Sequence, residues 1–322
     1  MEKKFPIIQI ALDFTELKRA LKVAEEAVSA GIEWLEAGTP LIKAEGMEAV
    51  RSLKKRFHKC RIIADMKIMD TGRMEAEMAF KAGADIVVVM GNASDGTIRE
   101  AVEASINYGG KVMVDLIEKA ATVERAKEVE KLGTHYIGVH IPIDRQMKGD
   151  VSFDFIKEIS SAVNIPVAVA GGINSENVVE AIKAGASIVI VGGAVTKSAD
   201  VKKAVSMIKE AIEKKAGIKT ELYRRVSLAD VKEVFLKVST ANISDALHRS
   251  GWVKDILPVC EGEIKMAGKV ITVRTYPGDW AKPVEAIDMA EEGDIIVIDA
   301  GGAGPAVWGE LATNSCVVKK IG

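Results

Sequence analysis

Lys81-Ala82-Gly83-Ala84-Asp85-Ile86-Val87-Val88-Val89 recurs further along the chain as Lys183-Ala184-Gly185-Ala186-Ser187-Ile188-Val189-Ile190-Val191. Each copy reads as the end of a helix, a glycine cap and then a buried strand. Looser versions stand at Ala30-Gly31-Ile32-Glu33-Trp34-Leu35 and at Leu132-Gly133-Thr134-His135-Tyr136-Ile137-Gly138-Val139. Outward from these, short β-branched runs predict eight strands, over 7–12, 34–37, 61–66, 85–90, 111–116, 135–140, 166–170 and 187–191. Apolar residues between them fall at helical spacing, as at Leu17, Ala20, Leu21, Ala24, Ala27 and Val28. Eight strands alternating with helices predict an α/β fold, a (β/α)8 TIM barrel. An open doubly wound sheet is the alternative. It would not require eight units, and the Gly-rich turns here come late rather than after the first strand.

The chain has 322 residues, more than such a barrel needs, so a second domain is expected. The charged stretch Glu213-Lys214-Lys215-Ala216-Gly217-Ile218-Lys219 marks the break. The reading is a barrel over 1–215, a linker over 216–226 and a smaller, incomplete α/β domain over 227–322. Apolar residues make up 48% and aromatics only 5%, which suits parallel strands covered by helices. The net charge of −2, with both signs interspersed, gives no footprint for nucleic acid or a membrane surface, so the expected partners are small molecules. Cys60, Cys260 and Cys316 lack CxxC spacing, which argues against a disulfide framework or a thiolate metal site. Met1-Glu2-Lys3-Lys4-Phe5-Pro6 runs straight into a strand and no apolar run reaches spanning length, so a cytoplasmic location is expected.

In a barrel of this kind the loops after the strands build the reactive face. Ionisable residues collect at those ends: Asp13 after strand one, Glu36 on strand two, Asp65, Lys67 and Asp70 at strand three, Asp115 at five and His140 at six. Asp65-Met66-Lys67-Ile68-Met69-Asp70 sets two carboxylates around an ammonium, with Asp65 and Lys67 on one side of an extended chain. Alone, it would read rather as a surface ion pair; the other strand ends change that. Gly171-Gly172 and Gly192-Gly193 follow strands seven and eight, where backbone N–H groups can approach a phosphate; tight turns alone would also explain them. Glu36 and Asp65 suit Mg²⁺, which takes a few carboxylates and leaves positions for substrate oxygens. Lys67 suits an oxyanion. His140, alone of the four histidines at the mouth, suits proton transfer, with a structural role as the alternative. His58, His135 and His248 are assigned to surface or helix-flanking positions.

Residues 5 to about 212 resemble the hexulose-6-phosphate synthase family, in the suprafamily that also holds orotidine 5′-phosphate decarboxylase and 3-keto-L-gulonate 6-phosphate decarboxylase. The matching motifs are Ala11-Leu12-Asp13, Glu36-Ala37-Gly38-Thr39-Pro40-Leu41-Ile42, Asp65 to Asp70 with Thr71-Gly72, Val139-His140 with Asp144-Arg145-Gln146, and Val169-Ala170-Gly171-Gly172-Ile173. The resemblance implies a Mg²⁺-dependent, reversible aldol reaction joining formaldehyde to D-ribulose 5-phosphate, giving D-arabino-3-hexulose 6-phosphate. It implies Glu36 and Asp65 as metal ligands, Lys67 as enediolate stabiliser and His140 as proton-transfer group. Asp13 joins the catalytic and substrate-binding set, with Gly171, Gly172, Gly192 and Gly193 at the phosphate. Asp70 resembles the residue that reaches into a partner subunit's site, so a homodimer through the barrel is implied. Gly193 stands where many relatives place an arginine, which leaves more of the phosphate to backbone amides.

Residues 238–322 resemble the front part of the family of 4-hydroxy-4-methyl-2-oxoglutarate aldolase and the regulators of ribonuclease E activity. The matching pieces are Thr240 with Ser244-Asp245-Ala246-Leu247, Ala267-Gly268-Lys269-Val270, Gly293-Asp294, and Trp308-Gly309-Glu310-Leu311. Strands are expected over 269–274 and 294–298, and Trp308 is read as a core or interface aromatic. The family's aldolases need an Arg-Asp pair beyond Gly-Glu-Leu that this sequence does not reach, so this module is expected to be catalytically incompetent. A higher oligomer through it is a further expectation. Two rivals stay open: a sugar-phosphate β-keto-acid decarboxylase, since a stabilised enediolate serves both reactions, and a non-catalytic regulatory protein acting through the C-terminal module.

Overall fold

The computed structural model describes residues 6–117, 121–141, 153–220, 222, 230–254, 256–257, 259, 262 and 265–322. It divides into two compact units, Met1–Arg225 and Val226–Gly322.

In the first unit eight parallel strands close on themselves in sequence order: β1 (Ile7–Leu12), β2 (Trp34–Ala37), β3 (Arg61–Ile68), β4 (Ile86–Met90), β5 (Lys111–Ile117), β6 (Tyr136–His140), β7 (Val167–Ala170) and β8 (Ile188–Val191). The ring is sealed by β1 on β8, where Ile7 pairs with Ile188 and Ile10 with Val191. The expected (β/α)8 barrel is therefore observed, and the open sheet is excluded. The repeat at 81–89 and 183–191 does what its glycines suggest. Gly83 (φ 101°) and Gly185 (φ 105°) hold a left-handed backbone that a side chain rarely adopts. Around Gly83, its own N–H donates to Phe80 O at 2.9 Å and that of Ala84 to Ala79 O at 3.0 Å; Gly185 and Ala186 repeat the pattern on Ile182 and Ala181. Each helix is stopped by the same paired bonds and the chain turns into the next strand.

Strand alternation sorts the apolar residues into two layers. Ile7, Ala11, Trp34, Ile63, Ile86, Val88, Met113, Tyr136, Ala168, Ile188 and Ile190 fill the lumen. Ile10, Leu12, Leu35, Ile62, Val87 and Val114 face outward into the larger core under the helices. Burying each Ile or Leu fully contributes about 1.5–3 kcal/mol. Trp34 meets Tyr136 edge-on, ring centroids 5.9 Å apart, low in the lumen. Gln9 pairs with Trp34 at this level, and the charged residues of the lumen are left the upper end.

Among its described residues the second unit has two parallel strands, β9 (Val270–Arg274) and β10 (Ile295–Asp299), paired from Val270–Ile295 to Arg274–Asp299. Ile287, Ala290 and Ile321 form its small buried cluster, with Ile271, Ile296 and Trp308 packed on it. Trp308 Nε1 donates to Thr313 Oγ1 at 3.0 Å, so the indole packs with its polar tip satisfied. Ser239 caps the helix Thr240–Ala246 by accepting from Asn242 N–H at 3.1 Å.

Candidate active site

β3 does not stay regular to its end. Its pairing with β4 runs Ala64 to Val87 and then Ile68 to Val89, so the strand bulges between Ala64 and Ile68. Lys67 inside the bulge has φ 49°, a left-handed conformation that costs a non-glycine residue about 1 kcal/mol or more. The expected meeting of Asp65 and Lys67 is observed, but the bulge produces it rather than simple alternation. Lys67 Nζ lies 3.1 Å from each Asp65 carboxylate oxygen and 2.9 Å from Asp115 Oδ2. Burial opposes the ammonium's charge, yet the Asp65 and then the Asp115 carboxylates outweigh it and hold Lys67 above the ordinary lysine value. This lysine stays charged.

Asp115, buried in β5, ties in the histidine: its Oδ2 is also 3.9 Å from Nδ1 of His140, the last residue of β6. That separation is too long for a hydrogen bond, and it becomes an ion pair only when the imidazole carries a proton. Burial works against its ionisation, but His140 and Lys67 prevail and hold Asp115 below the usual carboxylate range. Asp65 is held by Thr39, whose Oγ1 lies 2.7 Å from Asp65 Oδ2 and 2.9 Å from its carbonyl oxygen. Thr39 begins the helix Thr39–Glu45 directly after β2, and sequence reasoning gave it no role. Its place in the run Gly38-Thr39-Pro40, a helix start, was the available signal.

Glu36 is buried in β2 and accepts from Gln9 Nε2 at 2.5 Å. Burial first, then the Asp65 and Asp13 charges, push its carboxyl well above the ordinary value. Asp13 is exposed by surface area but ringed by protein; that enclosure and then Asp65 raise it, with Lys67, His140 and Lys197 opposing. Its position depends on glycine: a Cβ on Gly38 would overlap Asp13 Oδ1, and one on Gly192 would stand 3.7 Å from Oδ2. Asp13 therefore sits between the β2 exit and the second glycine pair.

Gly171 (φ 102°) and Gly172 (φ 73°) form a left-handed turn after β7. Asn177 pins it, donating from Nδ2 to Gly172 O at 2.9 Å and accepting from Asn174 N–H at 2.9 Å. Gly192 precedes the short turn Gly193–Thr196, whose first N–H groups the helix cannot satisfy itself. Lys197 follows that turn and acts on Asp13; neither Asn177 nor Lys197 was singled out from sequence.

Asp13, Glu36, Asp65, Lys67 and His140 are thus brought together, with Asp115 as their bridge. Asp70 is not: it is exposed, and its Oδ1 accepts from Thr71 N–H at 2.8 Å. Asp144, Arg145 and Gln146 lie outside the described residues. Among the described residues no three His, Cys, Asp or Glu side chains form a metal-holding group. The donor set still fits a hard divalent cation completed by substrate oxygens, because the buried Glu36 and Asp65 crowd each other and Asp13 with a surplus of negative charge.

Residues 6–208 match the family described as orotidine 5′-phosphate decarboxylase / HUMPS, and residues 240–322 match Aldolase/RraA. A 3-hexulose-6-phosphate synthase from Bacillus subtilis is 39% identical over 206 residues, 64% of this chain and 98% of that protein. A crystal structure of 3-hexulose-6-phosphate synthase is 36% identical with a TM-score of 0.61, covering 64% of this chain and 99% of its own. A 3-keto-L-gulonate-6-phosphate decarboxylase structure from Vibrio cholerae is 29% identical, TM-score 0.61, covering 66% and 99%.

Proposed function

The chain belongs to the orotidine 5′-phosphate decarboxylase / HUMPS family and carries an RraA-like domain behind the barrel, and from that premise we propose that it is a 3-hexulose-6-phosphate synthase. It is an aldehyde-lyase that joins formaldehyde to D-ribulose 5-phosphate, reversibly. One observation carries the reading: an ammonium between Asp65 and Asp115, with His140 Nδ1 3.9 Å from the same Asp115 oxygen that Lys67 engages.

The chemistry needs a proton removed from C1 of the keto-sugar, next to its carbonyl. His140 is the base for that proton. The electron pair left behind spreads onto oxygen as an enediolate, and Lys67 is the cation that stabilises that negative charge. C1 then attacks the formaldehyde carbon, forming the new C–C bond as the C=O π bond breaks, and the resulting alkoxide takes back the proton that His140 removed, giving the hexulose phosphate and the neutral base. Asp115 keeps Lys67 and His140 aligned to one another. Asp13, between the β2 exit and Gly192, is placed to accept from substrate hydroxyls, while the turns at Gly171-Gly172 and Gly192-Gly193 receive the phosphate through backbone N–H groups. Mg²⁺ held by Glu36 and Asp65 would supply Lewis-acid neutralisation of charge on the substrate's oxygens. Asp70 serves the site of a second subunit in a homodimer.

The decarboxylase rival shares the fold, but its solved representative is less similar to this chain, 29% against 36% identity. Incubation with ribulose 5-phosphate, formaldehyde and Mg²⁺ is expected to yield hexulose phosphate, and Lys67→Ala to lose at least about a hundredfold of that turnover. No product in either direction from the wild-type chain would sink the reading.

A further inference from the structure

Gln9 has no exposed surface, lies in β1 and pairs in register with Trp34 of β2. Its neighbours in the lumen, Ile7, Ala11 and Trp34, are apolar or aromatic. A primary amide in such a layer is costly unless both of its ends are hydrogen-bonded. Only one end is. Nε2 donates to Glu36 Oε2 at 2.5 Å, whereas Oε1 has no partner, a condition shared among the described residues by Trp34 Nε1. For folding alone, an apolar residue of the same shape would serve better, since it would bury no unsatisfied oxygen. The amide's use must therefore lie in the bond it does make.

We propose that Gln9 is a positioning residue for Glu36. By engaging Oε2 from beneath, in a rigid strand, the amide sets the rotamer and plane of the carboxylate and so fixes where Oε1 is presented. Backbone pairing makes this rigid: Ala11 of β1 lies opposite Glu36 of β2 in the ladder, so donor and acceptor sit on adjacent paired strands. A ligand carboxylate left free to rotate binds metal more weakly, and loss of such an outer partner commonly lowers affinity about 10- to 100-fold. The proposal rests on the reading of Glu36 as a metal ligand.

The test is Mn²⁺ binding to the full chain without substrate, followed by electron paramagnetic resonance of free Mn²⁺. Gln9→Met and Gln9→Leu keep the side chain's bulk and remove the donor; either one that folds, judged by circular dichroism, suffices. Their Mn²⁺ affinity is expected to fall about tenfold. Trp34→Phe, which removes the other unpaired atom but keeps the Gln9–Glu36 bond, is expected to bind as wild type. Glu36→Gln is expected to bind far more weakly than any of them. Wild-type affinity in the Gln9 variants, with Glu36→Gln impaired, overturns the positioning role alone. An equal loss in Trp34→Phe also overturns it, since packing would then be the cause. Wild-type affinity in Glu36→Gln overturns the ligand reading, and this inference with it.

Discussion

His135 stands just before β6 and His140 ends it, and the two make different contacts. His140 reaches the carboxylate of Asp115, whereas His135 Nδ1 accepts from the backbone N–H of Val112 at 3.2 Å, where β5 begins. Burial first, and then Lys111, hold His135 below its ordinary value of 6.5. Protonation would remove the acceptor lone pair. As pH falls the unfolded chain takes up this proton before the folded one, so stability is lost on descending through about 6.5 and continues to fall toward the folded value. A bond of about 1 kcal/mol in a barrel of this size corresponds to a few degrees in melting temperature. His135→Asn, whose Oδ1 replaces Nδ1 without titrating, is expected to flatten the barrel's melting temperature between pH 7 and 5; an unchanged slope would discount the histidine. The mouth position of His140 was legible because it ends a strand-like run. The partner of His135 was not, being a backbone group on a neighbouring strand that periodicity does not name. Nor were the bonds of Thr39 and Gln9 legible, since each runs to a residue of another element.

Among elements, β1 and β2 run from Ile7 to Leu12 and from Trp34 to Ala37, as expected, since β-branched runs and glycine caps are local signals. β3 shows what such signals omit. Alternation foretold that Asp65 and Lys67 meet, but the extra residues against β4 that make the bulge are a property of the pair of strands. The stretch after the helix Val201–Lys214 shows a second omission. Its charges read as a linker, yet Ile218 N–H donates to Ser175 O at 2.8 Å, Ser175 Oγ to Ile218 O at 2.7 Å, and Thr220 N–H to Glu176 Oε1 at 3.2 Å. The strap thus grips the loop that carries Gly171 and Gly172, beyond the end of the family match at residue 208. A Cβ on Gly217 would overlap the Glu176 carbonyl oxygen. Gly217→Ala is therefore expected to lift the strap, costing about 1–3 kcal/mol for the bonds released and speeding hydrogen exchange at the Ile218 and Thr220 amides. Unchanged exchange there would show that the loop does not depend on it.

For the whole molecule, the exposed position of Asp70 has a consequence for assembly. Met69, Met74 and Met78 are exposed around it, at 54%, 61% and 47% of their surface, on the segment leaving β3 and the helix Gly72–Lys81. Flexible methionines on a shared face suit a self-complementary contact, and a two-fold dimer places the same face of each subunit against the other. In the proposed homodimer Asp70 would act across the interface and Lys67 within its own barrel. Two inactive variants can therefore complement: a Lys67→Ala subunit still supplies Asp70, and an Asp70→Ala subunit still supplies Lys67. Unfolding and refolding them as an equal mixture gives half heterodimers, each with one intact site. Hexulose-phosphate formation is expected to recover to about a quarter of the wild-type rate per site, from a baseline near zero for either variant alone. A mixture no more active than its parents would place Asp70 in its own subunit's site or outside catalysis. Recovery that vanishes when Met74→Glu is added to both variants, with no change in the barrel's circular dichroism, would locate the contact on the methionine face, because a buried unpaired carboxylate breaks such an interface.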